Sequence, residues 1–272
     1  MFMRTLASLF VIASLTVLNP AAALSDESIV AFGDSIVAGY NSEGGGLHIP
    51  GGNLVQRFQQ RLQATTTETV TAQNLAFPGL TSSQIVKALS LGKKDAADAT
   101  YLILDAGGND YLHLKKEDKV CDADAWQDAL SGFKTNWDKL VDRAREINPK
   151  TELRTLGLYF PLADQFRGVV CNAATGLTAY DLFLPVLIET NYEICSTSLL
   201  HGGRCVDLFA EFNCSAVNRE LCQWRDVDTL ASYRARIMLL NSQIEDPSKG
   251  DWVQKDGIHP NSKGHARIAD LF

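Results

Sequence analysis

The stretch SIVAFGDSIVAGY, residues 28–40, does most to decide the fold of this 272-residue chain. Its first five residues are an apolar run that ends at Gly33, a pattern typical of a buried β-strand followed by a turn. Asp34 and Ser35 come directly after that strand. The carboxyl ends of parallel strands are where ligands bind, so this polar pair indicates a functional edge. The simpler interpretation of Ser35 is a helix N-cap, because serine is a preferred capping residue.

Strand-like and helix-like segments alternate through the rest of the chain. Strands are predicted over residues 28–32, 68–75, 100–104, 152–160 and 203–209, and helices over 53–63, 81–90, 122–147, 178–200, 233–244 and 262–271. Residues 205–222 lack a clear period and are expected to be irregular. Such alternation favours an α/β fold whose central, mostly parallel five-stranded sheet is covered by helices on both faces.

The first residues have the layout of a secretory signal peptide. Met1 to Arg4 is a short basic start, Thr5 to Leu18 is apolar, and Ala21 to Ala23 supplies small residues for cleavage. The apolar run is shorter than the roughly 20 residues that a bilayer span needs. We therefore expect a signal peptide over 1–23, a single domain over 24–272, a secreted or periplasmic location, and no integral membrane segment after cleavage.

Composition argues against several classes of partner. The formal net charge is −7, and no basic cluster could hold a phosphate backbone, so no nucleic-acid partner is expected. The chain has no Walker loop and no dinucleotide-binding glycine motif, so it offers no support for a nucleotide cofactor.

All six cysteines lie in the expected mature region: Cys121, Cys171, Cys195, Cys205, Cys214 and Cys222. An even number in an exported chain predicts three disulfides. A metal site is the alternative, but the cysteines lack the spacing of a zinc knuckle. Proximity in the sequence hints at Cys195 with Cys205 and Cys214 with Cys222, and leaves the connectivity open. Asn213 begins an N-glycosylation triplet that a bridged Cys214 would hinder.

A histidine and an aspartate near the C-terminus could activate Ser35. A serine hydroxyl is a poor nucleophile until a base takes its proton, and an imidazole works best when a third group fixes its tautomer. His259 is the preferred base, because Asp256 lies three residues earlier and one tight turn can bring its carboxylate to Nδ1. His265 ranks second, since it lies in a predicted helix without an equivalent carboxylate.

Acyl transfer also needs hydrogen-bond donors for the oxygen that becomes negative. Gly79 lies in a turn that follows the second predicted strand, and its N–H can point freely. Asn109 follows the third predicted strand and offers a side-chain amide. Taken singly, each segment could be a turn that merely ends a strand.

Four blocks in this order resemble those of the SGNH hydrolase family, also called the GDSL lipase/esterase family, across nearly all of the mature chain. The blocks are Gly33-Asp34-Ser35, Gly79, Gly107-Gly108-Asn109-Asp110 and Asp256-Gly257-Ile258-His259-Pro260-Asn261. The resemblance implies a three-layer flavodoxin-like fold and a carboxylic ester hydrolase that needs no metal or cofactor. Val37 stands where the Gly-x-Ser-x-Gly elbow of the α/β-hydrolases would have its second glycine.

The resemblance also implies a role for each site residue. Ser35 is the expected nucleophile, His259 its base and Asp256 the group that orients the base. The expected oxyanion hole combines the N–H groups of Ser35 and Gly79 with the side chain of Asn109. The chain departs from the family in having a proline before Gly79, yet the Gly79 N–H remains.

The expected function is a secreted serine esterase that acts on acyl esters, lysophospholipids or O-acetyl carbohydrates through an acyl-enzyme. Two alternatives remain open. One is a secreted non-catalytic protein that binds a ligand with the loop of residues 41–52. The other is an amide-directed hydrolase, either a peptidase or a carbohydrate deacetylase. Substrate choice is expected to depend on residues 41–52, 111–121 and 165–178.

Overall fold

The computed structural model describes residues 26–272. The predicted signal peptide over residues 1–23 and its cleavage site lie outside this range. Among the described residues, none of the helices combines the length and the apolar character that a membrane span requires.

Five parallel strands form the central sheet. They are β1 (Glu27–Phe32), β2 (Val70–Asn74), β3 (Tyr101–Leu104), β4 (Glu152–Leu156) and β7 (Arg204–Val206). Their order across the sheet is β2-β1-β3-β4-β7. The short strands β5 (Val170–Asn172) and β6 (Leu177–Thr178) pair with each other in a separate antiparallel hairpin. The α/β class and the five-stranded parallel sheet predicted from the sequence are confirmed.

Helices follow most of the strands. They are α1 (Ser35–Ala38), α2 (Leu54–Thr65), α3 (Ser82–Leu91), α4 (Lys93–Ala97), α5 (Gly108–Lys116), α6 (Ala123–Ile147), α7 (Ala163–Gly168), α8 (Ala179–Leu200), α9 (Leu208–Asn213), α10 (Arg219–Cys222), α11 (Leu230–Leu239) and α12 (Ser262–Asp270). The sequence did not indicate α1, α4, α5, α7, α9, α10 or the β5–β6 hairpin.

The sheet is the middle of three layers, as the alternation of side chains along β1 shows. Val30 and Phe32 join one apolar core with α3, α6 and α8, whereas Ile29 and Ala31 join a second core with α2 and α12. Successive side chains of a strand point to opposite faces, so a strand covered on both sides is apolar throughout. The carboxyl edge of the sheet remains open between these layers.

Helix α6 illustrates how well the helical period predicted the core. Seven apolar residues that recur at helical spacing along one face are all buried: Trp126, Leu130, Phe133, Trp137, Leu140, Val141 and Ala144. Burying a large apolar side chain contributes roughly 1.5–3 kcal/mol. Asp122 caps the helix by accepting the Ala125 N–H at 3.0 Å, and the helix ends at Ile147, two residues before Pro149, as expected near a proline.

The predicted fourth strand runs too far, because β4 ends at Leu156. Beyond it, two asparagine side chains replace the strand partner. Asn191 accepts the Leu158 N–H at 2.6 Å and donates to the Leu158 carbonyl at 2.8 Å. Asn213 pairs with Phe160 in the same way, at 2.7 and 3.1 Å. These side chains satisfy the backbone N–H and carbonyl groups of Leu158 and Phe160. The segment therefore does not need to pair with a neighbouring strand.

The predicted fifth strand also ends early, at Val206 instead of residue 209. Asp207 begins a helix there, because its carboxylate accepts the Ala210 N–H at 3.0 Å. The prediction that residues 205–222 are irregular is therefore wrong in part, since α9 and α10 lie within them.

All six cysteines lie at disulfide distance in three pairs. The pairs are Cys121–Cys171, Cys195–Cys205 and Cys214–Cys222, with Cα–Cα distances of 5.1, 4.9 and 6.5 Å. The last two are the pairs that proximity in the sequence indicated. The first joins the segment after α5 to the β5–β6 hairpin.

The glycosylation triplet at Asn213 is buried within this framework. The Asn213 side chain has no exposed surface, and its Nδ2 donates to the carbonyls of Phe160 and Glu245. An amide used in this way is inaccessible to a glycosyltransferase, so the triplet is not an acceptor in the folded chain.

Candidate active site

Ser35 lies at the carboxyl end of β1 as the first residue of α1. The cap of that helix is Asp34, whose Oδ1 accepts the Ile36 N–H at 2.9 Å. The Ser35 hydroxyl therefore does not serve as the N-cap, which was the simpler interpretation of the sequence. The Ser35 N–H takes part in none of the hydrogen bonds among residues 26–272, as is usual in the first turn of a helix.

His259 and Asp256 extend from Ser35 in a hydrogen-bonded series. The Ser35 Oγ lies 3.0 Å from His259 Nε2, and His259 Nδ1 lies 2.5 Å from Asp256 Oδ2. The other carboxylate oxygen, Oδ1, accepts the N–H groups of Ile258 and His259 at 2.9 and 3.0 Å. One tight turn thus fixes the imidazole with Nε2 toward the serine, as the spacing of three residues predicted.

The carboxyl group of Asp256 is held in its charged form. Partial burial raises its pKa, but the His259 ring and the two backbone N–H groups favour the ionised state, and the net effect is a pKa below the ordinary value. A carboxylate at Nδ1 stabilises the positive imidazolium that forms when His259 takes up a proton.

Gln254 ties the turn that bears His259 to the segment after α1. Its Nε2 donates to the carbonyls of Tyr40 and Pro260 at 2.8 and 2.9 Å. Its Oε1 accepts from the N–H and the hydroxyl of Ser42 at 2.8 and 2.9 Å. The Tyr40 ring also meets the His259 ring edge to face, with 4.9 Å between centroids. Sequence reasoning missed Gln254, because no local pattern marks it.

The start of α12 fixes the other side of the same turn. Asn261 caps the helix by accepting the N–H groups of Lys263 and Gly264 at 2.9 and 3.0 Å. A Cβ at Gly264 would lie 2.2 Å from the Trp252 carbonyl oxygen, so only glycine fits there. On the opposite side, Tyr159 donates its hydroxyl proton to the Ile258 carbonyl. His259 is therefore held by a rigid frame.

His265 occupies a different environment from His259. It is fully buried in α12, and neither ring nitrogen has a hydrogen-bond partner in the described part of the chain. Burial, with the nearby positive charge of Arg57, lowers its pKa to about 3. The imidazole is therefore neutral and enclosed at neutral pH, which agrees with the ranking of His259 above it.

The three expected oxyanion donors differ in their availability. Gly79 has a φ of +86°, a conformation that favours glycine, and no group among residues 26–272 accepts its N–H. Asn109 Nδ2 donates to Asp34 Oδ2 at 3.0 Å and to the Leu80 carbonyl at 3.1 Å. The amide lies beside the Gly79 turn, but it must share or exchange one of these bonds to reach a substrate oxygen.

An apolar cavity opens beside Ser35. Its space, including the part open to solvent, is about 720 Å³, and most of its lining surface is apolar. The residues around it are Asp34, Ser35, Ile36, Asp105, Gly108, Tyr111, Leu112, Trp126, Gly157, Leu158, Tyr159, Pro161, Leu162, Phe166, Phe183, Leu187, Leu208 and Ile258. Helices α5, α6, α7 and α8, together with the segment of residues 157–162 after β4, supply most of the wall.

The cavity corrects one expectation from the sequence. Residues 111–121 and 165–178 contribute Tyr111, Leu112 and Phe166, but none of its lining residues comes from the loop of residues 41–52. Two links join the contributing segments: the disulfide between Cys121 and Cys171, and a 3.0 Å hydrogen bond from Lys115 to Gln165. These links fix the outer wall of the cavity.

A parallel sheet with a hydrogen-bonded serine, histidine and aspartate at its carboxyl edge is typical of one class of α/β protein, the hydrolases. Within that class, the chain belongs to the GDSL-like lipase/acylhydrolase family, whose model matches residues 29–272. Membership supports a hydrolase that acts on small-molecule esters.

Solved structures share the fold at low identity. The lipase Lip_vut3 from a goat rumen metagenome has a TM-score of 0.62 and 18% identity, with 90% of this chain and 95% of that chain covered. A putative GDSL-like lipase from Parabacteroides merdae has a TM-score of 0.55 and 16% identity, with 90% and 93% covered. The three-layer fold that the family resemblance implied is confirmed.

A relative of similarly low identity comes from Bacillus subtilis. It is the uncharacterized protein YpmR, 26% identical over 153 residues, which are 53% of this chain and 58% of that protein. The chain thus matches little more than half the length of this relative.

Proposed function

We propose that this protein is an exported serine esterase that hydrolyses carboxylic esters with an apolar acyl chain through an acyl-enzyme intermediate. The observation that carries the proposal is the series from Ser35 through His259 to Asp256, with distances of 3.0 and 2.5 Å, beside the apolar cavity. A nucleophile with a base and an orienting carboxylate in series is the arrangement that acyl transfer requires.

The proposed mechanism uses the same groups in both half-reactions. Ser35 Oγ attacks the ester carbonyl while His259 Nε2 takes the hydroxyl proton, and Asp256 stabilises the imidazolium. The N–H groups of Ser35 and Gly79 and the amide of Asn109 hold the negative oxygen. His259 then gives the proton to the departing alcohol. Water repeats the sequence on the acyl-enzyme and releases the acid.

The shape and lining of the cavity favour an acyl chain of several carbons over an acetyl group. Burying one CH₂ group is worth about 0.8 kcal/mol, or roughly a fourfold change in an equilibrium constant. Of the substrate classes that the sequence left open, acyl esters and lysophospholipids fit this lining better than O-acetyl carbohydrates. A polar sugar would have to remain outside the cavity.

A series of p-nitrophenyl esters from acetate to decanoate tests this preference. We expect kcat/KM to rise about two- to fourfold per added CH₂ until the cavity is filled. Leu112→Trp narrows the cavity and should lower kcat/KM for the octanoate by about tenfold, while the acetate changes less than about threefold. The matched control is His113→Trp, since His113 is the next residue of α5, is exposed, and does not line the cavity.

Two results would contradict the assignment of the acyl site. One is a wild-type preference for the acetate, and the other is an equal loss on all esters in the Leu112 variant. Matched p-nitroanilides, lysophospholipid and acetylated sugars belong in the same panel. Faster turnover of the anilides than of the esters would favour the amide-directed alternative, and binding without turnover would favour the non-catalytic one.

We also propose that the chain is exported with a signal peptide over residues 1–23 and an esterase domain over 24–272. The three disulfides support an oxidising compartment, because cytosolic thiols are kept reduced. N-terminal sequencing of the protein from the medium or the periplasm should begin at Leu24. Recovery only from the cytosol, with the first 23 residues retained, would contradict export.

A further inference from the structure

Two buried carboxyl groups meet directly behind the Ser35 helix. Asp34 follows β1 and Asp105 follows the neighbouring strand β3, with exposures of only 3% and 2%. Phe32 pairs with Leu104 across the sheet, so the ends of these two strands bring the Asp34 and Asp105 side chains next to each other. Two neighbouring carboxylates in a buried place repel each other, which favours a proton on one of the two groups.

The hydrogen bonds around the pair indicate where that proton lies. Both oxygens of Asp34 accept: Oδ1 from the Ile36 N–H and Oδ2 from Asn109 Nδ2. By contrast, Asp105 Oδ2 is buried, and no donor among residues 26–272 points to it. An atom that carries the proton has less need of a donor. This pattern makes Asp34 the carboxylate and Asp105 the carboxylic acid.

The charges around the pair agree with this assignment. Burial raises the pKa of both groups, and the charge of Asp34 raises the pKa of Asp105 further. Other groups act mainly on Asp34: His259 favours its ionised form and Asp110 opposes it. Tyr159, also buried nearby, has a raised pKa and stays neutral. These effects favour the form of the pair in which Asp105 carries a proton and Asp34 carries the charge.

We propose that Asp105 is a positioning residue that, as a neutral acid, donates a hydrogen bond to the Asp34 carboxylate and so holds the Asn109 amide and the start of the Ser35 helix in place. The inference rests on the proposed esterase function of this site. Among residues 26–272, Asp34 is the single side chain that hydrogen-bonds to both the Asn109 side chain and the α1 backbone. A rotation of its carboxylate would therefore displace an oxyanion donor and the nucleophile together.

Two substitutions of similar volume separate a donor role from a packing role. Asp105→Asn presents an N–H to Asp34 in place of the acid O–H, whereas Asp105→Leu presents none. We expect Asp105→Leu to lower kcat about 10- to 100-fold with KM within about twofold, and Asp105→Asn to restore kcat to within about threefold of wild type. The role is refuted if the leucine variant keeps wild-type kcat, or if the asparagine variant falls as low as the leucine variant.

A stability measurement tests the proton without using activity. The pKa of an aspartate in the unfolded chain is about 3.9, and that of Asp105 in the folded chain is well above it. Between these values the folded state binds the extra proton, so this group makes the protein less stable as the pH rises from about 4. Asp105→Asn removes the effect. The thermal midpoint of Asp105→Asn minus that of wild type should therefore be larger at pH 8 than at pH 4.5.

The kcat comparison and the unfolding comparison together distinguish failure of this inference from failure of the proposed function. If the wild type hydrolyses no ester, the function fails, and the unfolding comparison still tests the pair. If the wild type is active but the variants do not separate, only the role of Asp105 fails. An unfolding difference that is the same at both pH values would contradict a proton held between Asp34 and Asp105.

Discussion

Replacing Ser35 with alanine is expected to lower kcat for the preferred p-nitrophenyl ester by a factor on the order of 10⁵ to 10⁶. The variant lacks the oxygen that would form the acyl-enzyme, and the oxyanion donors and the cavity alone leave only a small residual rate. KM should change little, because the cavity that would bind the acyl chain is untouched. Initial rates, with enzyme purified free of host esterases, measure the effect.

The control for this substitution is Ser198→Ala. Ser198 is fully buried and bonds to Thr155, away from the cavity. Losing its hydroxyl should cost about 1 kcal/mol of stability and leave kcat within about threefold of wild type. Substantial turnover by the Ser35 variant would rule out Ser35 as the nucleophile. It would favour a mechanism in which water attacks the ester directly.

Replacing His259 with alanine should lower kcat by a factor on the order of 10⁵, whereas His265→Ala should leave kcat within about tenfold of wild type. Only His259 contacts Ser35 and Asp256. His265 is enclosed, so its removal leaves a cavity in the core, with an expected loss of about 2–5 kcal/mol in the free energy of unfolding. Rates below the unfolding transition and denaturant melts of both variants separate chemistry from stability.

One result for these two variants would reverse the assignment of His259 as the base. If His265→Ala loses as much kcat as His259→Ala while remaining folded, the base has been assigned to the wrong histidine. If the His259 variant loses stability but little activity, the turn from Asp256 to His259 is structural.

The sequence predicted the parts of the fold whose causes are local. Helix α6 follows from its own apolar period, its Asp122 cap and the proline beyond its end. The end of β4 does not, because it depends on Asn191 and Asn213, whose partners lie 33 and 53 residues away. Short helices such as α7 and α10, with six and four residues, escaped prediction because each holds too few residues for a period to emerge.

The same distinction applies to the candidate site. Asp256 and His259 share one turn, so their spacing predicted the contact that the structure contains. Gln254 binds Ser42, 212 residues away, and Asp105 meets Asp34 only because β1 and β3 are neighbours in the sheet. The cavity likewise draws its wall from several helices and from the segment after β4, and no single stretch of sequence could indicate that combination. The sequence thus indicated the proposed reacting groups and left their supports and the proposed acyl site unspecified.

Labelling with a fluorophosphonate, followed by peptide mass spectrometry, tests the central claim most directly. The account predicts one adduct per chain, on the peptide that contains Ser35, with loss of ester turnover in proportion to labelling. Labelling should be absent in Ser35→Ala and strongly slowed in His259→Ala. An adduct on another serine that abolishes turnover, or full turnover by a chain labelled completely at Ser35, would contradict it.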